Sequence, residues 1–250
     1  MPKPISSRLA AACALAIVLL AVVPVTASAK RVSASLRVVG KGGKVLTEKT
    51  LRTGTMSIKT SRGANCFGKG TGGSGRSVKV RGATALGLLA QASRSTPSLR
   101  PLLITDAFDF GLGICGVGKS RVSGRASWYL KVNHRGAQVG GDAYGLHGGD
   151  EVLWDLAPSF PYPDELVLKA PEAALPGVPF RVRVLSYDEK GKRRPVSGAS
   201  VTGAAAPTGA DGTTTVTLTE SSSLRATHGR EIPSAASFVC AGVCTGGSQP

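Results

Sequence analysis

The stretch Ala126–Leu156 reads ASWYLKVNHRGAQVGGDAYGLHGGDEVLWDL, and its reading decides the fold of the first half of the chain. Trp128, Leu130 and Val132 alternate with Tyr129 and Lys131. That period of two gives a strand one apolar face. Asn133–Gly136 supplies turn residues, a loop follows, and Gly148-Gly149-Asp150 turns into a second strand that ends at Trp154. Both tryptophans of the chain lie here, so this is where a small core receives its largest side chains.

Upstream, Val32, Ala34, Leu36 and Val38 alternate with polar residues and predict a half-buried strand over Arg31–Val39. Lys41–Lys44 predicts a hairpin turn and Val45–Leu51 the return strand. Met56–Lys59 and Ser77–Val80 read as short strands on either side of Arg62–Arg76, a Gly-rich loop that holds Cys66. Thr84–Ala92 is the one clear helix: Thr84 suits an N-cap, and Leu86, Leu89 and Ala90 fall on one face. Strand-like pieces follow at Leu102–Thr105, Phe108–Phe110 and Ile114–Val117.

Pro158, Pro161 and Pro163 stiffen the chain after Ala157 and stop strand pairing, which places a domain boundary there. Beyond it, Glu165–Lys169, Pro179–Ser186, Ala199–Thr202, Thr213–Thr219, Leu224–Thr227 and Ser237–Cys240 read as short strands separated by turns. That spacing, with no helix, predicts an all-β sandwich. The expected organisation is an α+β domain over 30–157, a Pro-rich linker over 158–165, a sandwich over 166–245 and a tail over 246–250.

Residues 1–29 read as an address. Lys3 and Arg8 precede an apolar run from Leu9 to Val25, and Ala27-Ser28-Ala29 follows. This is a secretory signal pattern with cleavage expected before Lys30, and no later run is long enough to span a bilayer. Lys3 and Arg8 leave with it, so the net charge falls from +16 to +14. The exported chain keeps Cys66, Cys115, Cys240 and Cys244, an even count that suggests disulfides. Four cysteines allow three pairings, and one bridge per domain would join Cys66 to Cys115 and Cys240 to Cys244.

Three motif matches fail on physical grounds. Gly113–Ser120 fits the P-loop pattern by letter, but Arg121–Arg125 lacks the helical periodicity that must follow. Gly111–Gly116 and Gly70–Gly75 fit the dinucleotide pattern, yet neither opens a helix in a βαβ unit. With 33 glycines such matches arise by chance. Three histidines (His134, His147 and His228) without ligand spacing give no metal site. Asp106 and Asp109 read as turn residues and not as a catalytic pair, so no enzyme is expected.

The 126–156 stretch resembles the transcobalamin C-terminal-like domain family, DUF4430. Trp128–Asn133 matches its W-x-x-x-V-N strand, Gly149–Trp154 its G-D-x-V-x-W strand, Thr84–Leu89 its T-A-x-x-x-L helix and Phe108–Gly111 its aromatic-glycine strand. The likeness covers roughly 32–156. It implies a β-grasp-like fold, one helix on a mixed sheet, and a ligand surface around Trp128, Tyr129, Asn133 and Tyr144. A corrinoid is the cofactor it would bring. His134 stands where that family has glycine and the helical cobalamin-binding barrel is absent, so no cofactor is expected. The second domain resembles bacterial immunoglobulin-like or carboxypeptidase-regulatory-like modules, on Pro195–Ala199, Thr208–Thr213 and Leu224–Thr227.

These readings predict a secreted or cell-wall-associated bacterial binding protein without catalysis, its partner a small molecule or a cell-wall polyanion. The alternative is a structural or adhesive wall protein held by charge on anionic polymers. Specific nucleic-acid binding is not expected: aromatics make only 5% of the chain, too few for a stacking platform.

Overall fold

The computed structural model describes residues 31–243. The expected signal segment, the Cys240–Cys244 pairing and the tail lie outside the described residues. Among the described residues the fold is largely β with a single α-helix, Ala85–Ser95.

The first sheet is built on the two strands that open the sequence reading. Ser127–Val132 pairs antiparallel with Glu151–Ala157, which pairs parallel with Val32–Val39. Val45–Thr53 and the short Arg135–Gly136 complete five strands at the two edges. One face carries Ala34, Leu36, Val38, Leu130, Val132, Val152 and Trp154, and the helix lies on it. Thr84 caps the helix as predicted, its Oγ1 accepting from the Gly87 N–H at 3.0 Å. Leu86, Leu88 and Leu89 are all buried against this face. Each such burial stabilises by about 1.5–3 kcal/mol.

The Met56–Lys59/Ser77–Val80 pair and the Leu102–Phe108/Gly111–Val117 hairpin close the rest of this core. Cys66 bonds Cys115 and pins the Gly-rich loop to that hairpin, with 5.4 Å between Cα atoms. Phe110, read as the end of a strand, instead sits at the hairpin tip, 84% exposed. The P-loop-like letters fall on the Gly111–Val117 strand and the turn to Ser120, so no helix follows them.

The Pro-rich segment leads into a second core made of Leu166, Leu168, Val182, Val184, Val201, Val216, Leu224 and their neighbours. Glu165–Lys169, Phe180–Tyr187, Arg193–Pro195 and Thr213–Val216 form one sheet over it. Small strand pairs around Ser237–Ala241 and Ser200–Val201 cover the other side. Leu224–Thr227, read as one strand, is split: Ser222–Leu224 and Ala226–Thr227 pair with different partners. Among the described residues no helix is long and apolar enough to cross a membrane.

Alternation in Val32–Val39 and Ser127–Val132 suggests a solvent-facing side, but the charged residues on that side are buried. Arg37 is 8% exposed and Lys131 1%. The second unit covers this outer face, and the charges explain how. Glu165 pairs with Arg37 and lies 3.5 Å from Lys131 and 3.2 Å from His134. Lys131 Nζ also donates to the Tyr187 and Asp188 carbonyls at 2.9 and 3.2 Å. Arg37 donates to the Pro233 carbonyl, and Ile232 packs on Val39 and Leu153. At the edge, Arg225 holds Glu48 with two hydrogen bonds of 2.8 and 2.7 Å.

Candidate functional site

The outer face of the first sheet is a small grid. Ser35 lies beside Glu151, Arg37 beside Leu153 and Lys131, and Val39 beside Asp155 and Tyr129. The middle row is closed by Glu165. A cleft opens between the two units at each end.

The four residues the sequence singled out do not converge on either cleft. Trp128 and Tyr129 are neighbours on a strand and point to opposite faces. Trp128 packs on the first core and Tyr144 does the same near the helix start, where its carbonyl accepts from the Ala85 N–H at 3.1 Å. Tyr129 lies on the outer face with its ring stacked on Tyr162, centroids 4.0 Å apart. Burial pushes its phenol pKa up, with the Glu189 charge adding to the rise. Asn133 locks a turn: its Nδ2 donates to Asp150 at 2.9 Å and its Oδ1 accepts from the Glu151 N–H at 2.9 Å. Residues on opposite faces cannot cradle one corrin ring, so no role for a corrinoid is derived from them. Asp106 and Asp109 do not form a pair either. Asp106 is tied to Ser74 by two hydrogen bonds of 2.6 Å, which hold its carboxyl below the usual range, and Asp109 is at the hairpin tip.

The first cleft, of about 430 Å³, contains Arg37, Glu48, His134, Glu151, Glu165 and Phe238. Arg37, His134, Glu151 and Glu165 are engaged with one another, Glu48 is held by Arg225, and Lys49 Nζ donates to Thr96 Oγ1 at 2.6 Å. Burial pushes the Glu165 carboxyl up, but His134, Arg37 and Lys131 together outweigh it and hold the group below its ordinary value. Burial also lowers Lys131, and Glu165 opposes that.

The second cleft, of about 580 Å³, is different. Lys41, Arg121 and Arg230 stand exposed around it. Among the described residues none of these three side chains has an acidic partner within ion-pair distance. Asp155, 5% exposed, reaches it from the sheet and makes no hydrogen bond or ion pair among the described residues. Burial pushes the Asp155 carboxyl up to about 7, against the lowering pull of Arg37 and Lys131. The remaining carboxylate, Glu231, is occupied: it accepts from Ser186 Oγ at 2.6 Å and faces His228 Nδ1 at 2.8 Å and Arg194 at 3.4 Å.

Such a cleft can hold an oxyanion. Guanidinium groups bind phosphate or carboxylate through paired N–H donors, and an un-ionised carboxyl adds one O–H donor. The His228–Glu231 contact orients an imidazole as in a general base, but no hydroxyl or thiol is bonded to that ring among the described residues. No group of three or more His, Cys, Asp or Glu among the described residues could hold a metal ion.

Sequence reading missed Asp155, Lys41, Arg121 and Arg230. Asp155 follows Trp154 on the side that alternation assigns to solvent, and the three cations come from separate loops. Compared with protein-family models, with curated proteins and with solved structures, the chain matches none.

Proposed function

We propose that the chain is an exported, non-catalytic binding protein of the bacterial envelope or extracellular space, and that its ligand is an anion held in the second cleft. One observation carries this reading: a buried carboxyl with no hydrogen bond or ion pair shares a cleft with three cations that have no acidic partner among the described residues. A buried polar group left unsatisfied costs about 1–3 kcal/mol. It persists where function requires it, and a perturbed carboxyl in a cleft is a recognised mark of a binding or reaction site.

The finer fold readings fit this role. One helix over a mixed sheet with a central parallel pair supports the β-grasp-like, DUF4430-type assignment. The strand pairs wrapped on one core support an immunoglobulin-like second unit. The expected secretion signal and the Cys66–Cys115 bridge both suit an oxidising compartment.

A second reading, adhesion through bulk charge, is favoured by one feature. Lys169, Arg183 and Arg181 stand exposed on one outer face of the second unit, with Lys169 and Arg183 directly in register. The two readings separate on a thermal-shift titration with pyrophosphate. A saturable rise in Tm is expected. Lys41→Ala/Arg121→Ala/Arg230→Ala abolishes it, while Lys169→Ala/Arg181→Ala/Arg183→Ala removes the same charge and leaves it. Equal loss in both triples overturns the cleft reading and leaves adhesion by charge.

A further inference from the structure

The chemistry of the second cleft narrows its ligand beyond "anion", and the inference below rests on the reading just given. We propose that the cleft binds a flexible polyol chain bearing oxyanions, with the oxyanion on Lys41, Arg121 and Arg230 and an adjacent ligand oxygen on the Asp155 carboxyl.

Shape and lining favour this class. About 580 Å³ is the size of a small-molecule site and not of a flat polymer track. No Phe, Tyr or Trp lines the cleft, which instead has Leu156, Pro158 and Pro163 as its apolar wall. Bases of a nucleic acid would find only the His228 ring and no larger stacking platform. A folded protein partner anchors on large aromatic side chains in a deep pocket, and the apolar wall here is aliphatic. A polyol chain needs neither. Its hydroxyls exchange hydrogen bonds, and its charge is carried by the oxyanions. Phosphate and uronate chains share this chemistry, and the arms of the test tell them apart.

Asp155 gives the site a direction with pH. Arg37 and Lys131 act on its charge from the sheet, Lys41, Arg121, His228, Arg230 and Glu231 line the same cleft, and the Tyr129 phenol lies alongside. An oxyanion brought into this surround opposes ionisation of Asp155, so ligand and proton bind together. With the carboxyl at about 7 before binding, the affinity falls about tenfold from about pH 6 to about pH 8.

The test is calorimetric titration of the chain with three short oligomers of equal charge: glycerol phosphate, hexuronate and single-stranded DNA. The glycerol phosphate linkage is a diester and has no titration of its own in this range. Saturable binding of one polyol oligomer, at least about tenfold tighter than the DNA, is expected, and the tighter of the two polyols names the source. The about-tenfold loss with rising pH should vanish in Asp155→Asn, which keeps a donor and cannot ionise, while binding itself remains. DNA binding as tight as either polyol overturns the ligand class. A pH response that survives Asp155→Asn overturns the role of Asp155. In both cases the anion site stands, whereas absence of binding by every oligomer and by pyrophosphate removes the site itself.

Discussion

Replacing Asp155 by asparagine should stabilise the chain above neutral pH and leave it unchanged in acid. The carboxyl sits at 5% exposure with no hydrogen bond or ion pair among the described residues. Burial moves it from its ordinary 3.8 to about 7. The sign follows from which state holds the proton. Between these two values the folded chain keeps a proton that the unfolded chain has lost, so stability falls as pH rises through that window. At about 1.4 kcal/mol per pH unit the window corresponds to roughly 4 kcal/mol, all of it lost by about pH 8. Asparagine has the same shape and no charge to lose. Urea denaturation of both proteins at a series of pH values reads the difference. Coincident midpoints are expected near pH 4, with the variant ahead by roughly 4 kcal/mol near pH 8. A variant less stable than the parent near pH 8 would refute the reasoning, because it would mean that the ionised carboxylate is held by Arg37 and Lys131.

Glu165 should behave in the opposite way. Glu165→Ala leaves Arg37 and Lys131 buried without their carboxylate, and the loss should be about 3–5 kcal/mol, with the single denaturation transition splitting as the two units separate. Its carboxyl is held below its ordinary value, so its stabilisation is complete above that value and is lost as pH falls through the folded one, which a pH series on the parent should show. The Cys66–Cys115 bridge spans 49 positions, and loop-closure entropy assigns it about 4 kcal/mol, measurable as the drop in stability of Cys66→Ser/Cys115→Ser. His134→Gly should relieve about 1–3 kcal/mol of backbone strain in a Glu165→Ala background and distinctly less in the parent, where the His134–Glu165 contact is lost with it. A double-mutant cycle with no coupling between the two sites would sink that last expectation.

The parts of the fold visible in the sequence are those where periodicity and burial agree. Val32–Val39, Ser127–Val132 and Glu151–Ala157 alternate because one face meets the helix, and Thr84 announces that helix with its hydroxyl. The contact between units was invisible for a physical reason. Ser35, Arg37, Lys131 and Asp155 look like the wet side of an exposed sheet, and the same alternation results whether water or a second polar surface covers it. Arg37 meets Glu165 across 128 positions, a distance at which no local pattern operates. The resemblance implies Trp128 and Tyr144 as ligand contacts, and large aromatics serve binding and packing equally well. Burial separates the two uses, and composition does not.

Two residues on this face break local rules, and they lie at opposite ends of it. His134 adopts φ of 67° after Asn133 at 50°, the two-residue hairpin geometry in which glycine normally takes the second place. Glycine would carry no strain, but it has no ring to stack on Tyr187 at 4.4 Å or to reach Glu165. The strain at that end is therefore tied to closing the contact between the units. Asp155 breaks the opposite rule at the other end: it is buried nearly as deeply as Glu165, yet it makes no hydrogen bond or ion pair among the described residues. A face under pressure only for stability would carry leucine or asparagine there. Retention of an acid beside three cations without acidic partners is what a site for an anionic partner requires, since the group that costs stability in the empty chain becomes a donor when the ligand arrives.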